Sequence, residues 1–266
     1  MYKSFYSLSH NPFTKEVKTS NLFPSNSFKE ATARLNYLKK TKGIGVVVGE
    51  PGSGKTSTLR ALADDLNPSL FKVIYFPLST GTVMDFYRGL ALGLGEKPCH
   101  RKVDLFKQIQ HSITNLAKDQ KITPVFILDE MQLAANKFLN DLGILFNFSM
   151  DSENPFILIL AALPFFMDKL SLNQNQSLNQ RIVMRYQFDP LTKEEVNDYI
   201  DHQLELAGAN HSIFSPQAIE AITLRSRGLP RLINNLATNS LLLGCQLEAD
   251  TINEEIVFKA CEEVAL

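Results

Sequence analysis

The sequence predicts a mostly parallel, three-layer α/β domain followed by a small all-α domain. Upstream of residue 190, short apolar runs rich in β-branched residues alternate with amphipathic helical patterns. This alternation is typical of parallel sheets that are covered by helices. After residue 190 the strand patterns cease and helical patterns continue. We therefore predict an N-terminal arm and helix over residues 1–40, an α/β domain over 41–189 and a helical domain over 190–266.

Five short runs are apolar on both faces, as expected of strands buried between two helix layers. The predicted strands cover residues 44–48, 73–76, 125–128, 156–161 and 182–188. The amphipathic patterns between them predict helices near residues 54–66, 83–94, 103–117 and 137–148. The polar segment SLNQNQSLNQ at residues 171–180 contains two leucines and predicts an exposed loop.

Helix-start signals define the C-terminal part of the chain. The sequence TKEE at residues 192–195 has the capping-box pattern, and its helix should run to about Leu206. Ser215 followed by Pro216 predicts a second helix start. Two further helices are expected near residues 230–245 and 253–264.

Composition excludes several classes of protein. Hydrophobic residues make up 44% of the 266 residues and charged residues 21%, so intrinsic disorder and disulfide scaffolds do not fit. The sequence contains no apolar stretch near the roughly 18 residues that a membrane helix needs, and its N-terminus lacks a secretory signal pattern. Three widely spaced cysteines suit a reducing compartment. We therefore expect a cytoplasmic protein without a membrane partner.

The formal net charge of −1 limits how this protein can bind nucleic acid. A monomer that binds DNA through one large basic face usually has a clear excess of Lys and Arg. Any DNA contact must then come from a local basic patch or from many subunits that each add a weak contact.

The segment GEPGSGKT at residues 49–56 fits the phosphate-loop pattern G-x-x-x-x-G-K-[ST] and lies between a predicted strand and a predicted helix. Its glycines let backbone N–H groups approach phosphate oxygens, and the following helix adds its positive end. Lys55 would bring charge to the β- and γ-phosphates, and Thr56 would offer a hydroxyl to Mg²⁺. The alternative, a glycine-rich turn with a chance lysine, is disfavoured by this context. The predicted nucleotide-binding residues here are Gly49, Glu50, Pro51, Gly52, Ser53, Gly54, Lys55, Thr56 and Ser57.

The run VFILDE at residues 125–130 ends a predicted strand with two carboxylates. A buried strand would deliver Asp129 to the carboxyl edge of the sheet, where it would hold Mg²⁺. Glu130 would polarise the attacking water. The alternative is a strand that ends in a polar turn. Because another strand lies between the two motifs in sequence, the Asp129 strand need not neighbour the phosphate-loop strand. Such a gap is expected when an extra strand is inserted next to the phosphate loop.

Three arginines are candidates for sensing or completing the site. Arg181 and Arg185 flank the start of the last predicted strand, where an arginine can face a neighbouring subunit's γ-phosphate. We favour Arg181, because it should point outward, whereas Arg185 should pair with a carboxylate. Arg231, in GLPR, begins a helix from which it could reach back over the nucleotide. The alternatives are a solvated arginine for the first two and a simple helix start for the third. The predicted catalytic residues are Lys55, Glu130, Arg181 and Arg185.

Five segments of the sequence together carry a family resemblance. The chain resembles AAA+ ATPases and, more narrowly, their ExeA-type branch. The matching segments are MYKSFYSLSHNPF, GEPGSGKT, LDEMQL, LNQRIVMRYQFDPLTKEEVNDYIDHQLELAG and GLPRLINNLATNSLLLG. The resemblance implies ATP and Mg²⁺ as cofactors, self-assembly into a ring or helical filament, and an adenine pocket that includes Asn11, Pro12 and Phe13.

Two features depart from the family pattern. Related chains often carry a polar residue after the fourth strand, where this sequence has Ala161 and Ala162. The departure puts sensing at that position in doubt and is compatible with slow hydrolysis. Secretion-type ExeA proteins also continue into a membrane span and a peptidoglycan-binding region, which this sequence does not contain.

The leading functional hypothesis is a regulator of DNA transposition. Short ExeA-like ATPases resemble the companion ATPases of transposable elements, the TniB, TnsC, IstB and MuB group, which assemble on double-stranded DNA with ATP and recruit a transposase. Candidate DNA contacts are Arg88, residues 100–102 and Lys137, each weighed against an ordinary solvated charge. The alternatives are an ExeA-type secretion-assembly ATPase and a regulatory AAA+ switch in replication or signalling.

Overall fold

A computed structural model describes residues 2–77 and 82–264 of the chain. Its contacts group these residues into two compact units. The sheet unit comprises Glu30–Gly49 and Lys55–Phe188. The helical unit comprises the described residues up to Lys29, Glu50–Gly54, and the described residues from Asp189 onward. The arm and first helix predicted over residues 1–40 are thus divided between the units, and the three-part division of the chain stays a prediction.

The helices and strands follow in chain order. The helices are α1 (Tyr2–Phe5), α2 (Asn26–Thr41), α3 (Lys55–Asp65), α4 (Val83–Leu94), α5 (Lys102–Lys118), α6 (Asn136–Leu145), α7 (Phe166–Ser171), α8 (Gln176–Gln180), α9 (Lys193–Leu206), α10 (Pro216–Ser226), α11 (Pro230–Gln246) and α12 (Glu254–Val264). The strands are β1 (Gly43–Val48), β2 (Phe71–Pro77), β3 (Thr123–Asp129), β4 (Ile157–Ala162) and β5 (Ile182–Gln187). Short 3-10 turns lie at Thr19–Asn21, Met131–Leu133, Ser149–Asp151 and Asn173–Asn175.

The five strands form one parallel sheet in the order β2-β3-β4-β1-β5. Strand β4 therefore separates β1, which leads into the phosphate loop, from β3, which ends at Asp129. The predicted insertion of a strand between the two motifs is confirmed. Because the strands are parallel, their carboxyl ends share one edge of the sheet, which is where ligands bind in open α/β sheets.

Alternate residues along each central strand pack on opposite helix layers, since side chains alternate across a pleated strand. Val46 and Leu158 pack in the same core as side chains of α4 to α8, whereas Val47 and Ile159 pack with side chains of α2 and α3. Strands β1, β3 and β4 are buried along their whole length. The predicted three-layer α/β fold class is confirmed.

The prediction of an exposed loop over residues 171–180 is wrong in its conformation, although most of the side chains are exposed as predicted. Most of the segment is helical, because the turn Asn173–Asn175 leads directly into α8. Asn175 is buried, and its side-chain amide donates to Asn136 Oδ1 at 3.1 Å and to the Lys169 carbonyl at 2.7 Å. Leu178 packs in the core of the sheet unit. Tertiary partners therefore take up the polar group of Asn175, and the core contact of Leu178 anchors the other end of the segment.

The helical unit confirms the predicted helix starts. The Thr192 side chain accepts the Glu195 N–H while the Glu195 carboxylate accepts the Thr192 N–H, and α9 runs to Leu206 as expected. Ser215 caps α10, whose first residue is Pro216. Among residues 2–77 and 82–264, none of the helices has the length and apolar character needed to cross a bilayer.

Replacing Leu178 by alanine tests whether residues 171–180 pack on the core of the sheet unit. Because Leu178 is 2% exposed, Leu178→Ala should lower the free energy of unfolding by about 2–5 kcal/mol. Leu172→Ala, at a leucine in the same segment that is 46% exposed, is the matched control and should cost less than about 1 kcal/mol. Urea unfolding followed by circular dichroism measures both. Equal, small effects of the two substitutions would instead indicate that the segment does not pack on the core.

Candidate functional site

The backbone of the phosphate loop needs glycine at two positions. Gly52 and Gly54 have φ angles of +83° and +100°, in the left-handed region that side chains with a Cβ rarely adopt. Helix α3 begins immediately afterwards at Lys55. A loop of this kind that leads into a helix N-terminus presents backbone N–H groups and a positive dipole end, which is the arrangement that binds phosphate.

Lys55 and Thr56 begin α3 and belong to the sheet unit. The Lys55 ammonium donates to the Gly49 carbonyl at 2.6 Å, which holds it at the start of the phosphate loop. The Gly49 N–H in turn donates to the Ala162 carbonyl at 3.2 Å, so that the loop begins against the carboxyl end of β4.

The Asp129 carboxylate ends β3 and is 5% exposed. Its Oδ2 accepts hydrogen bonds from the Thr56 hydroxyl and from the Tyr75 hydroxyl, each at 3.2 Å. Its Oδ1 accepts the Glu130 N–H at 2.9 Å. The structure thus brings together two predicted site residues, Thr56 and Asp129, that lie 73 positions apart in the sequence.

Tyr75 is a contact that the sequence analysis missed. It lies on β2, which pairs with β3, and its side chain is 51% exposed. Removal of its hydroxyl from water, followed by the charge and hydrogen bond of Asp129, raises the pKa of Tyr75 to about 12. The phenol therefore stays protonated at neutral pH and donates to the carboxylate. The feature of the sequence that could have identified Tyr75 is a polar aromatic residue within an otherwise apolar strand.

The oxygen groups of the site fit a magnesium ion. Mg²⁺ prefers hard oxygen ligands, usually one or two carboxylates together with waters and substrate phosphates. The Thr56 hydroxyl and the Asp129 carboxylate, 3.2 Å apart, are of this kind. The buried Ser53 hydroxyl of the phosphate loop has no hydrogen-bond partner among the described residues, which suits a loop that receives a polar ligand.

Glu130 follows Asp129 in an unusual backbone conformation. Its φ of 60° and ψ of 32° lie in the left-handed region, which is uncommon for residues other than glycine. Its side chain is exposed, whereas that of Asp129 is buried. The conformation turns the chain sharply after β3, so that consecutive carboxylates have different environments. Such strain is often found at functional sites.

The expected orientations of the two arginines near β5 are wrong. The Arg181 side chain is 19% exposed, forms an ion pair with Asp151 at 3.0 Å and donates to the Gly143 carbonyl at 2.5 Å. Arg185 is exposed and donates to the backbone and side-chain oxygens of Asn179, at 2.6 Å and 2.9 Å, rather than to a carboxylate. Arg181 is turned inward because the 149–151 turn brings an acid to it.

Within the helical unit, Arg231 lies against the phosphate-loop segment. Its N–H donates to the Gly52 carbonyl at 3.3 Å. A Cβ on Gly52 would lie 2.4 Å from the Arg231 Cβ, so that glycine also permits this close approach. The backbone at the start of α11 is thus held at the loop, as the proposed role of Arg231 requires.

The predicted adenine-side residues lie in the core of the helical unit. Phe13 is 5% exposed and packs edge-to-face on Phe214, with ring centroids 6.3 Å apart. Pro12 is buried, and the Asn11 side chain accepts the Phe13 N–H at 3.1 Å. These contacts are those of a core turn, and the adenine role stays a prediction.

Ala161 and Ala162, at the end of β4, are fully buried. Their methyl groups can make no hydrogen bond to phosphate or water. The carboxyl end of this central strand therefore lacks, at these two positions, the polar side chain common in the family.

Most of the candidate DNA contacts have acidic neighbours. Arg88 lies 3.8 Å from Asp85 and Arg101 lies 4.0 Å from Asp104. Lys102 pairs more closely, at 2.6 Å, with Asp141. These pairs reduce the net positive charge that α4 and α5 present. His100 and Lys137 are exposed, and the DNA role of all these residues stays a prediction.

A family model described as an AAA domain matches residues 38–170, which include the phosphate loop, Asp129 and Glu130. The chain belongs to the AAA domain family. The predicted resemblance to AAA+ ATPases is thereby confirmed at the level of the family, and the narrower transposition branch stays a prediction.

Known proteins resemble most of the chain. It is 31% identical to the general secretion pathway protein A of Aeromonas hydrophila over 247 residues, which cover 91% of this chain and 44% of that protein. The chain thus spans less than half the length of this relative. Solved structures with the same fold include Cdc6p of Pyrobaculum aerophilum, with a TM-score of 0.72, 17% identity, and 95% and 70% of the two chains covered. Another is Drosophila ORC bound to DNA, with a TM-score of 0.73, 15% identity, and 100% and 66% covered.

Replacing Arg231 by alanine tests its proposed role at the nucleotide. Arg231→Ala keeps the backbone bond to Gly52 and removes the guanidinium, so ATP affinity should fall about tenfold, equivalent to about 1.4 kcal/mol. Arg225→Ala is the matched control in the same unit, since that guanidinium lies 5.5 Å over the Phe258 ring. Isothermal titration calorimetry measures both affinities. Unchanged binding by Arg231→Ala would leave this residue with a structural role at the start of α11.

Proposed function

We propose that this protein binds and hydrolyses ATP. The observation that carries the proposal is the Asp129 carboxylate, which is buried at the sheet edge and accepts a hydrogen bond from the Thr56 hydroxyl, with Glu130 next in sequence. An oxygen pair of this kind at a helix N-terminus, with a glycine loop directly before that helix in sequence, suits a nucleoside triphosphate with its metal. Membership of the AAA domain family supports the same activity.

The residues divide the reaction between them. The loop N–H groups and Lys55 hold the β- and γ-phosphates. Thr56 and Asp129 would hold Mg²⁺, which would neutralise phosphate charge. Glu130 orients a water whose oxygen bonds to the γ-phosphorus as the bond to the bridging oxygen breaks. The water proton passes to the Glu130 carboxylate, and ADP leaves with the electron pair of the broken bond. The products are ADP and phosphate.

The finer proposal is a regulator of DNA transposition that assembles on double-stranded DNA with ATP and recruits a transposase. Its support is the resemblance to short ExeA-like companion ATPases, together with a fold shared with an ORC structure solved on DNA. A net charge of −1 fits this proposal if many subunits each add a few phosphate contacts.

A secretion-assembly ATPase is the second candidate. Its support is the 31% identity to general secretion pathway protein A, which extends over 91% of this chain. The two candidates share the ATP chemistry and differ in the partner, because only the first requires assembly on duplex DNA.

Blocking hydrolysis separates these candidates. Glu130→Gln keeps the size of the side chain but provides a poorer base, so ATP should stay bound while turnover falls at least about 100-fold. With ATP and duplex DNA the variant should form long-lived oligomers, measured by sedimentation and electron microscopy. Lys55→Ala is the control, since loss of its charge should abolish both ATP binding and assembly.

Each failure in this experiment has its own meaning. Normal turnover by Glu130→Gln would assign the catalytic carboxylate elsewhere. ATP-dependent oligomers that ignore DNA would favour the secretion candidate. Unchanged ATP affinity in Lys55→Ala would overturn the phosphate-loop assignment.

Mixing variants tests which arginine acts between subunits. Arg185 is exposed, so Arg185→Ala should leave ATP affinity intact, reduce turnover at least about 100-fold and regain activity when mixed with Lys55→Ala protein. Arg181→Ala should instead lower the melting temperature without rescue, because it loses the contacts to Asp151 and Gly143. Steady-state ATPase assays on DNA and thermal melts measure these effects. Absence of rescue for both would mean that each site is completed within one subunit.

A further inference from the structure

The Gln132 side chain links the Glu130 carboxylate to the end of β4. Its Nε2 donates to Glu130 Oε2 at 2.6 Å, and its Oε1 accepts the Leu163 N–H at 3.2 Å. Leu163 directly follows the last residue of β4. Since a carboxylate only accepts and an N–H only donates, both bonds require the same orientation of the amide. The two partners thus fix the plane of the Gln132 side chain.

The turn that carries Gln132 is itself anchored. Met131, the residue before it, is fully buried. The Lys169 ammonium donates to the Gln132 carbonyl at 3.4 Å and also to the Ala134 carbonyl. The backbone on both sides of the side chain is therefore tied to the sheet unit. An anchored glutamine places its partners more precisely than a mobile surface residue does.

The Gln132 side chain reaches the end of β4, where related chains often carry a polar residue and this chain has alanines. Ala161 and Ala162 cannot orient a carboxylate or a water, whereas the Gln132 amide reaches the same strand end from the turn after β3. It occupies one oxygen of Glu130, which leaves Oε1 to accept the proton of the attacking water. Glutamine cannot serve as the base itself, because its amide nitrogen donates and has no basic lone pair.

We propose that Gln132 is a positioning residue that acts through Glu130: it holds this carboxylate at the carboxyl end of β4 for its role in ATP hydrolysis. The inference rests on the proposed ATPase function. Gln132, which lies outside β4, thus orients the Glu130 carboxylate, which Ala161 and Ala162 on β4 cannot do.

Kinetics of Gln132→Ala provide the first test. Loss of the link should lower kcat about tenfold, because Glu130 then samples unproductive rotamers. The ATP dissociation constant should stay within about twofold, since the side chain touches no proposed phosphate-binding group. The melting temperature should fall by no more than a few degrees, because the hydrogen bond to the Leu163 N–H is lost. Gln120→Ala is the matched control, because that amide bonds to Asn115 on the surface and should leave kcat unaltered.

Two further variants give readouts that a structural role would not move. In the Glu130→Gln background, Gln132→Ala should cause no further loss of turnover, because its only route to the reaction is gone. In Gln132→Glu, the introduced carboxylate has about the size of the glutamine side chain but cannot donate to Glu130 and repels it. Its kcat should therefore fall at least as far as that of Gln132→Ala, although the side chain is not truncated.

The outcomes separate this inference from the proposed function. If the unmutated protein does not hydrolyse ATP, the proposed function fails and the role of Gln132 fails with it. If it hydrolyses ATP and Gln132→Ala retains full kcat, the role of Gln132 alone is wrong. A loss of kcat that comes with a fall in melting temperature of more than a few degrees, or that is additive with Glu130→Gln, would also overturn it.

Discussion

The buried carboxylate of Asp129 is the constraint on which the site depends. An ionised carboxylate that is 5% exposed is costly unless donors surround it, and here three donors do so. One comes from α3, one from β2 and one from the backbone of Glu130. Each donor requires a different feature of the fold: the helix after the phosphate loop, the pairing of β2 with β3, and the sharp turn after β3. The three-layer fold thus brings these three donors together around Asp129.

The parts of the fold and site that the sequence predicted are those set by local physics. Strands that are buried on both faces, capping boxes such as Thr192 with Glu195, and a loop whose Gly52 and Gly54 need positive φ all leave their signal within a few residues. In these cases the neighbours that decide the conformation are neighbours in sequence.

The parts that could not be predicted depend on contacts between distant residues. Tyr75 reaches Asp129 because β2 lies beside β3. A tyrosine in an apolar strand marks the residue as unusual, but the sequence does not show which strand will pair with it. The segment at 171–180 looked like a loop because its polar groups were counted as solvated, whereas Asn175 finds partners in α6 and α7. Composition reports the polarity of a side chain and does not report which groups will satisfy it.

The two arginines near β5 show what this difference means for function. Sequence position favoured Arg181, which was expected to point outward, and predicted a carboxylate partner for Arg185. In the structure it is Arg181 that meets a carboxylate, that of Asp151, on a turn where Ser149, Met150 and Asp151 all have positive φ. For Arg181 to act on another subunit it must first leave Asp151 and the Gly143 carbonyl, and hydrogen bonds to charged groups contribute about 1.5–3 kcal/mol each. Arg185 bonds to neutral oxygens of Asn179 at an exposed position, where water can replace them at little cost. The availability of a cation to a neighbouring subunit is therefore set by what its own subunit already offers it, and on that criterion Arg185 is the better suited of the two.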